Sequence, residues 1–315
     1  MTNIHDIARL ADVSVATVSR VLNNYKYVTD EKREAVLKVI EEMNYTPNKN
    51  AIDLIRGETR TIGVVIPYNN NPAFDQLLNG ILNKALEHDF FVTVLPSKYS
   101  KEKELEYLQK LKSKLFDGII ITSKANEWEI ITPFSEYGSI VACEFTNHPG
   151  IGCSYVDRYA SYVDTFQLLK NKGHSRVAFT TARLESKSTN QIIDAYHKVF
   201  GEIPPGYHIS GCEYLEDGHE AAKSLLQLDE RPTAIYANGD EVAGGIYLYA
   251  KYQQMNIPDD LAIIGQENQP IGIGLGLTTV DHQLMKVGEQ ACSLAIKKSK
   301  DKVKTHYRIV ERDSV

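Results

Sequence analysis

The start of the chain carries apolar residues at helical spacing in three short segments. Residues 4–11 and 14–24 each have an apolar stripe, preceded by Asn3 in the first case and beginning with Ser14 in the second. Asn and Ser both cap helix N-termini well, so the pattern predicts two helices joined by a tight turn. A third segment begins at Thr29 and places four apolar residues at i, i+3, i+4 and i+7: Val36, Val39, Ile40 and Met43. Three such helices can share one small core.

From Thr61 onward the pattern changes to short apolar runs that alternate with amphipathic helical segments. This alternation predicts parallel sheets covered by helices on both faces, and about 250 residues of it favour two lobes over one. We expect the first lobe to span 61–156 plus 282–315 and the second to span 157–281. The predicted strands are 62–66, 90–95, 118–121, 140–143, 177–180, 234–236, 261–264 and 278–280.

The outer face of the second segment is small, polar and cationic. Between Ser14 and Tyr27 there is no acidic residue, while Arg20 and Lys26 stand beside hydroxyls and amides that can donate to phosphates or base edges. This face is typical of a helix that lies in a DNA groove. The alternative is a three-helix cap on a larger domain.

The residues themselves resemble the LacI/GalR family of bacterial transcription regulators. The stretches IHDIARLADVSVATVSRVLNN and YVTDEKREAVLKVIEEMNYTPN are similar to the DNA-binding headpiece of the family. The resemblance continues through TIGVVIPYNNNPAF, FDGIIITS, PDDLAIIG and LTTVDHQLMKVGEQA. It implies an α/β protein with a helix-turn-helix headpiece at 1–47, a hinge helix and linker at 48–60, and a two-lobed, doubly wound type I periplasmic-binding-protein-like domain at 61–315 for effector binding and dimerisation.

The resemblance also implies which headpiece residues contact an operator. Base contacts are expected from Val15, Ala16 and Arg20, and phosphate or mixed contacts from Thr17, Ser19 and Asn23. In the hinge, Leu54 matches a leucine that enters the minor groove, and Ala51 matches a small residue that faces the partner helix. Asp53 departs from the family pattern, and the alternative is a plain linker with Leu54 packed on the body of the protein.

The expected effector site lies where the strands of the two lobes end. Ligands of doubly wound folds bind at the carboxyl ends of the strands, where amides can bond hydroxyls and aromatic rings can stack on sugars. Seven residues stand at such positions: Tyr68, Asn69, Phe74, Ser123, Asp157, Asp240 and Glu267. Each of these can instead be a core residue or a helix cap.

The chemistry of the effector is expected to be neutral and rich in hydroxyls. Ile192 stands where the family often has an arginine, which argues against an anionic ligand. The stretches AIDLIRG, IPYNNNPAFD and TAIYAN resemble regulators of maltose or maltodextrin operons. We therefore expect a repressor that binds a pseudo-palindromic operator as a homodimer under control of a sugar. The alternative is control by a protein co-regulator docked on the outer surface.

Charge and composition set further bounds. The net charge of the chain is −6, whereas the charges of residues 1–60 balance, so the acidic remainder should discourage indiscriminate adhesion to nucleic acid. Four cysteines lack the spacing of a metal site, and no apolar run has the length of a membrane span. No phosphate-cradling or nucleophile-elbow motif favours an enzyme. We expect a cytoplasmic protein without cofactor, metal site or membrane partner.

Overall fold

The structure is a computed structural model that describes residues 3–22, 25–46, 53 and 57–315. The chain divides into two compact units, Met1–Arg60 and Thr61–Val315.

The first unit contains the three predicted helices around one small core. They are α1 (Ile4–Leu10), α2 (Val15–Leu22) and α3 (Asp30–Glu42). The core is formed by six buried side chains from all three helices: Ile7, Ala8, Val18, Val21, Val36 and Val39. The predicted helix-turn-helix arrangement is therefore confirmed.

Local side-chain caps explain where the first two helices begin. The Asn3 side chain accepts from the backbone N–H of Asp6, whose carboxylate in turn accepts from the N–H of Asn3 at 3.1 Å. Ser14 Oγ accepts from the N–H of Thr17 at the same distance. Met43 was expected in the core but is 37% exposed, because α3 has ended at the preceding residue.

The second unit contains two six-stranded sheets. The strands of the first sheet are β1 (Thr61–Ile66), β2 (Phe91–Pro96), β3 (Gly118–Ile121), β4 (Ser139–Ala142), β5 (Ile151–Val156) and β11 (Lys302–Thr305). They lie in the order β11-β5-β4-β3-β1-β2, and all the strand pairs are parallel. The helices that belong to this lobe are α4 (Pro72–Glu87), α5 (Lys101–Lys112), α6 (Trp128–Ile131) and α12 (Leu284–Lys297), with a 3₁₀ turn at Thr132–Glu136.

The strands of the second sheet are β6 (Val177–Thr181), β7 (His208–Ser210), β8 (Ala234–Tyr236), β9 (Ala262–Gln266), β10 (Thr278–Asp281) and β12 (Arg308–Val310). They lie in the order β12-β10-β9-β8-β6-β7. Its helices are α7 (Arg158–Asn171), α8 (Lys187–Phe200), α9 (Leu215–Leu226), α10 (Asp240–Tyr252) and α11 (Pro270–Gly274). The parallel pairs of this sheet and the first confirm the doubly wound, two-sheet architecture.

The C-terminal segment differs from the expected division into lobes. Residues 282–315 were assigned to the first lobe, but only α12 and β11 lie there. Strand β12 pairs antiparallel with β10 in the second sheet, with Thr279 opposite Val310. Ile309 and Val315 pack on the core of that lobe. Burial of these apolar side chains favours the return of the C-terminal segment to the second lobe. The chain thus crosses between the lobes near residues 157, 282 and 306.

Within the described ranges, no helix combines the length and the apolar character that a membrane span needs.

Candidate operator and effector sites

The outward face of α2 carries the predicted base-reading residues. Ala16 and Arg20 are exposed one helical turn apart, and Ser19 is half-buried between them. Val15 is half-buried and packs against the core of the first unit, which limits its reach toward a base. The Thr17 hydroxyl lies 2.9 Å from that of Ser14, so it is held at the N-terminus of the helix.

Three of the predicted DNA contacts fall on residues that the structure does not describe. They are Asn23, Ala51 and Leu54. Most of the predicted hinge helix and linker at 48–60 also lies outside the described residues.

A large cleft lies between the two sheets of the second unit, at the carboxyl ends of their strands. Its volume is about 1010 Å³, enough for a mono- or disaccharide. Five of the seven predicted effector residues line it: Tyr68, Phe74, Ser123, Asp157 and Glu267. Asn69 lies outside this lining and is exposed.

The first-lobe wall of the cleft is aromatic and hydroxylated. Asn71 caps α4 by accepting from the N–H groups of Ala73 and Phe74, and this cap places the Phe74 ring at the cavity. Tyr68 meets the edge of Tyr99, with ring centroids 5.7 Å apart. The Tyr99 hydroxyl lies 3.1 Å from that of Ser123. Such a wall can stack on a sugar ring and bond its hydroxyls.

The second-lobe wall holds a buried carboxylate, Glu267, directly after β9. Its Oε1 lies 3.2 Å from Arg158 Nη1 and 3.0 Å from His282 Nδ1. Burial would raise the pKa of Glu267, but His282 and Arg158 together lower it to about 2. Burial lowers the pKa of His282, and the neighbouring charge of Glu267 opposes this shift. The side chain of Glu267 therefore carries a charge at neutral pH.

Two buried acceptor atoms in this wall have no partner among the described residues. They are Oε2 of Glu267 and Oε1 of Gln269, and each residue is only 4% exposed. Both residues line the cleft. A buried acceptor without a donor costs about 1–3 kcal/mol, so a ligand with N–H or O–H groups in the cleft would relieve this cost.

Glu267 also links the two lobes through its backbone. Gln76 of α4 donates from Nε2 to the carbonyl of Glu267 at 2.8 Å. The φ angles of Glu267 and Asn268 are +81° and +48°, in the left-handed region that side chains rarely adopt. This backbone turn presents the carbonyl to the first lobe and the carboxylate to Arg158 and His282.

Asp240 was expected to contact the effector, and the structure corrects this prediction. The residue is fully buried and does not line the cleft. Its Oδ2 accepts from the N–H of Gln269 at 2.6 Å, and its Oδ1 accepts from the Thr279 hydroxyl at 2.7 Å. A Cβ added at Gly265 would lie 2.0 Å from Oδ1, so only glycine leaves room for the carboxylate. Asp240 holds the segment that carries Glu267 and Gln269.

The sequence interpretation missed two arginines in the cleft. Arg158 pairs with Glu267, and the Arg183 guanidinium lies 3.6 Å from the centroid of the Tyr99 ring across the cleft. Position 192 is buried and apolar, but the cleft as a whole contains arginines. Arg158 immediately follows the predicted residue Asp157 at a lobe crossing, and that signal could have found it.

Comparison with known proteins decides the family. Residues 3–48 match the model of the bacterial regulatory proteins of the lacI family, and residues 59–296 match that of the periplasmic binding proteins and sugar binding domain of the LacI family. The chain belongs to the LacI family.

Relatives of similar length extend this assignment. Catabolite control protein B of Bacillus subtilis is 43% identical over 99% of this chain and all of its own length. The NTD biosynthesis operon regulator NtdR of the same organism is 35% identical over 99% of this chain and 97% of its own. The fold matches the lac repressor dimer bound to operator, at a TM-score of 0.87 over 99% of this chain and 98% of that one, with 20% identity.

These findings make the chain a DNA-binding transcription regulator with a periplasmic-binding-protein-like domain. The relatives named above are regulators rather than enzymes.

Proposed function

We propose that this LacI-family chain is a repressor that binds a pseudo-palindromic operator as a homodimer, and that a sugar in the cleft changes its affinity for DNA. The observation that carries the ligand half of the proposal is the lining of the cleft, which combines Tyr68 and Phe74 with two residues that each have an unpartnered buried side-chain oxygen, Glu267 and Gln269. Sugar hydroxyls supply the missing donors, and sugar rings supply an apolar face for the aromatic side chains.

The operator half of the proposal rests on α2. In a symmetric dimer, two copies of this helix would enter successive major grooves about 34–36 Å apart. Arg20 is the residue with the reach and the donor pattern for a guanine, and Ala16 beside it leaves room for a thymine methyl group. Thr17, Ser19 and Asn23 are proposed to hold phosphates, and Ala51 and Leu54 to act in the hinge.

The coupling between the two sites is proposed to pass through the lobe orientation. Gln76 from the first lobe bonds the carbonyl of Glu267, while Arg183 from the second lobe stacks on Tyr99 of the first. A ligand that bonds Glu267 and both walls stabilises one relative orientation of the lobes. If that orientation also favours or disfavours operator binding, the two affinities change by the same factor.

The chemistry of the cleft suits a sugar without pointing to a particular operon. The comparisons give no support to a maltose or maltodextrin subgroup, so maltose is one member of the ligand panel.

Replacing Arg20 by alanine is expected to weaken operator binding by about 1–3 kcal/mol and to relax the choice of base at one position of each half-site, because the bidentate donor is lost. Fluorescence anisotropy on an operator selected from a random duplex library measures both. Lys38→Ala is the matched control, since Lys38 is an exposed cation of α3 that faces Glu42. Equal affinities of the Arg20 variant and the control would contradict the assignment.

The ligand proposal is tested by the same titration in the presence of glucose, galactose, ribose, maltose and cellobiose. At least one sugar is expected to change operator affinity five-fold or more, since allosteric couplings are typically about 1–3 kcal/mol. Its binding should also raise the unfolding temperature of the protein. If operator binding is tight and every sugar leaves both quantities unchanged, a protein co-regulator becomes the better explanation.

A further inference from the structure

The cleft is lined by more carboxylates than cationic side chains, and not every carboxylate has a cationic partner. Seven carboxylates and five cationic side chains line it. Three of the cations face a carboxylate: Arg158 with Glu267, Lys304 with Asp157, and Lys187 with Glu144, at N···O distances of 3.2, 3.0 and 3.7 Å.

The other two cations are engaged by other groups. Lys124 donates to the carbonyl of Asn126 at 2.9 Å and lies over the Trp128 ring. Arg183 lies over the Tyr99 ring. Each cation of the cleft therefore already has a partner in the structure, which leaves little to attract an anionic ligand.

The remaining carboxylates are differently placed. Glu127 and Glu185 are exposed at the rim, whereas Glu213 and Glu241 are half-buried in the second-lobe wall. Neither of the latter two has an ion pair with any described residue, but Glu213 shares its end of the cleft with Arg183, whereas the charged neighbour of Glu241 is another carboxylate, Glu216.

Backbone packing fixes the position of Glu241. It lies in the first turn of α10, which packs so closely on α9 that a Cβ added at Gly218 would lie 2.0 Å from the carbonyl oxygen of Val242. This contact brings Glu241 close to Glu216, which is also acidic. A carboxylate in the first turn of a helix normally has a lowered pKa. Burial, together with Glu216, instead raises the pKa of Glu241.

The same wall contains the two unpartnered buried acceptors, Glu267 Oε2 and Gln269 Oε1. The N–H of Gln269 bonds the residue next to Glu241, Asp240, which ties the two parts of the wall together. The wall thus offers acceptor atoms and negative charge to a ligand, and a ligand rich in donors with a positive charge would satisfy both.

We infer that the ligand of this cleft is an amino sugar, whose hydroxyls donate to Glu267 and Gln269 and whose protonated amino group is held by Glu241. This inference rests on the proposed function, because it specifies the chemistry of the sugar in the same cleft. An ammonium group brings three donors and the charge that Glu241 lacks.

The test compares amines with neutral sugars of the same stereochemistry. Isothermal titration calorimetry of the full chain would use glucosamine, N-acetylglucosamine and glucose, and the corresponding galactose and mannose sets. In at least one set the amine is expected to bind at least ten-fold more tightly than both neutral members. The preference should shrink as salt is raised, because the added interaction is between charges.

Glu241→Gln should abolish that preference, because the amide carries no charge to hold the ammonium group. Glu202→Gln removes the same charge from an exposed position outside the cleft and should leave the preference intact. Neutral sugars that bind as tightly as amines in every set would overturn the inference and leave the proposed function standing. Binding by no sugar at all would overturn both.

Discussion

Replacing Glu267 by glutamine is expected to lower the free energy of unfolding of the ligand-binding unit by about 1.5–3 kcal/mol at pH 7, because hydrogen bonds to a charged group are lost while Arg158 keeps part of its contact with solvent. The change leaves the Arg158 guanidinium without its counter-ion and presents an uncharged amide to a fully buried His282. Urea unfolding followed by the fluorescence of Trp128, the single tryptophan of the chain, measures the loss.

Asp157→Asn is the matched control. Asp157 is also a carboxylate at a lobe crossing, and it pairs with Lys304 at 3.0 Å, but both side chains of this pair are more than a third exposed. Solvent screens such a pair, so its loss should cost less than about 1 kcal/mol. If the free energy of unfolding falls by the same amount in both variants, the buried network around Glu267 stabilises the fold no more than the exposed ion pair does.

The pH dependence gives a second check on the same residue. The pKa of Glu267 in the folded state is lowered to about 2 from an ordinary value of 4.5. A lowered carboxyl pKa contributes stability that is present above the unfolded value and is lost as the pH falls toward the folded value. The difference between the parent protein and Glu267→Gln should therefore shrink between pH 4.5 and pH 2.

The headpiece could be predicted from the sequence because its structure depends on local signals. Apolar spacing defines each helix, and Asn3 and Ser14 supply caps within the same few residues. The error at Met43 has a local cause too: the helical pattern continues one residue past the point where the hydrogen-bonded helix ends at Glu42.

The effector cleft could be predicted only in part. The rule that ligands meet the carboxyl ends of strands places Tyr68, Phe74 and Ser123 correctly at the cavity wall. It does not say which way a side chain turns. Asp240 and Glu241 are neighbours at one helix start, yet the first packs inward against two glycines and the second lines the cavity.

Contacts between the lobes were beyond sequence reasoning. Arg183 meets Tyr99 because two loops 84 residues apart in sequence close on each other, and Gln76 reaches the backbone of Glu267 across 191 residues. Neither pairing leaves a periodic or motif signal. Strand β12 illustrates the same limit, since its three residues are assigned to the second sheet only by their pairing with β10.

Asp240→Asn is expected to stabilise the ligand-binding unit at neutral and alkaline pH. Burial raises the pKa of Asp240 to about 7 from an ordinary value of 3.8, against the opposing hydrogen bonds from Thr279 and Gln269. The folded state therefore holds a proton that the unfolded state releases between about pH 4 and pH 7. Stability falls as the pH rises through this window, by up to about 4 kcal/mol for a shift of this size.

An asparagine cannot ionise, so the variant should lack this decline. Its side-chain oxygen can still accept from the N–H of Gln269, and its amide nitrogen can donate to the Thr279 hydroxyl in place of the bond that the carboxylate accepts. Urea unfolding from pH 5 to pH 9 should give a gain that grows with pH and levels off above about pH 8. Two parallel curves would mean that Asp240 is already ionised across this range.

A comparison of Asp240→Asn with Glu267→Gln separates effects on stability from effects on ligand binding. Asp240 and Glu267 act on the same segment, which follows β9. Asp240 accepts a hydrogen bond from the N–H of Gln269 in this segment, whereas Glu267 belongs to the segment and lines the cleft. Asp240→Asn should keep the segment in place and preserve sugar affinity, whereas Glu267→Gln should lose both stability and affinity. A loss of affinity in Asp240→Asn without loss of stability would show that the segment depends on the charge of Asp240 for its position, since the asparagine retains an acceptor.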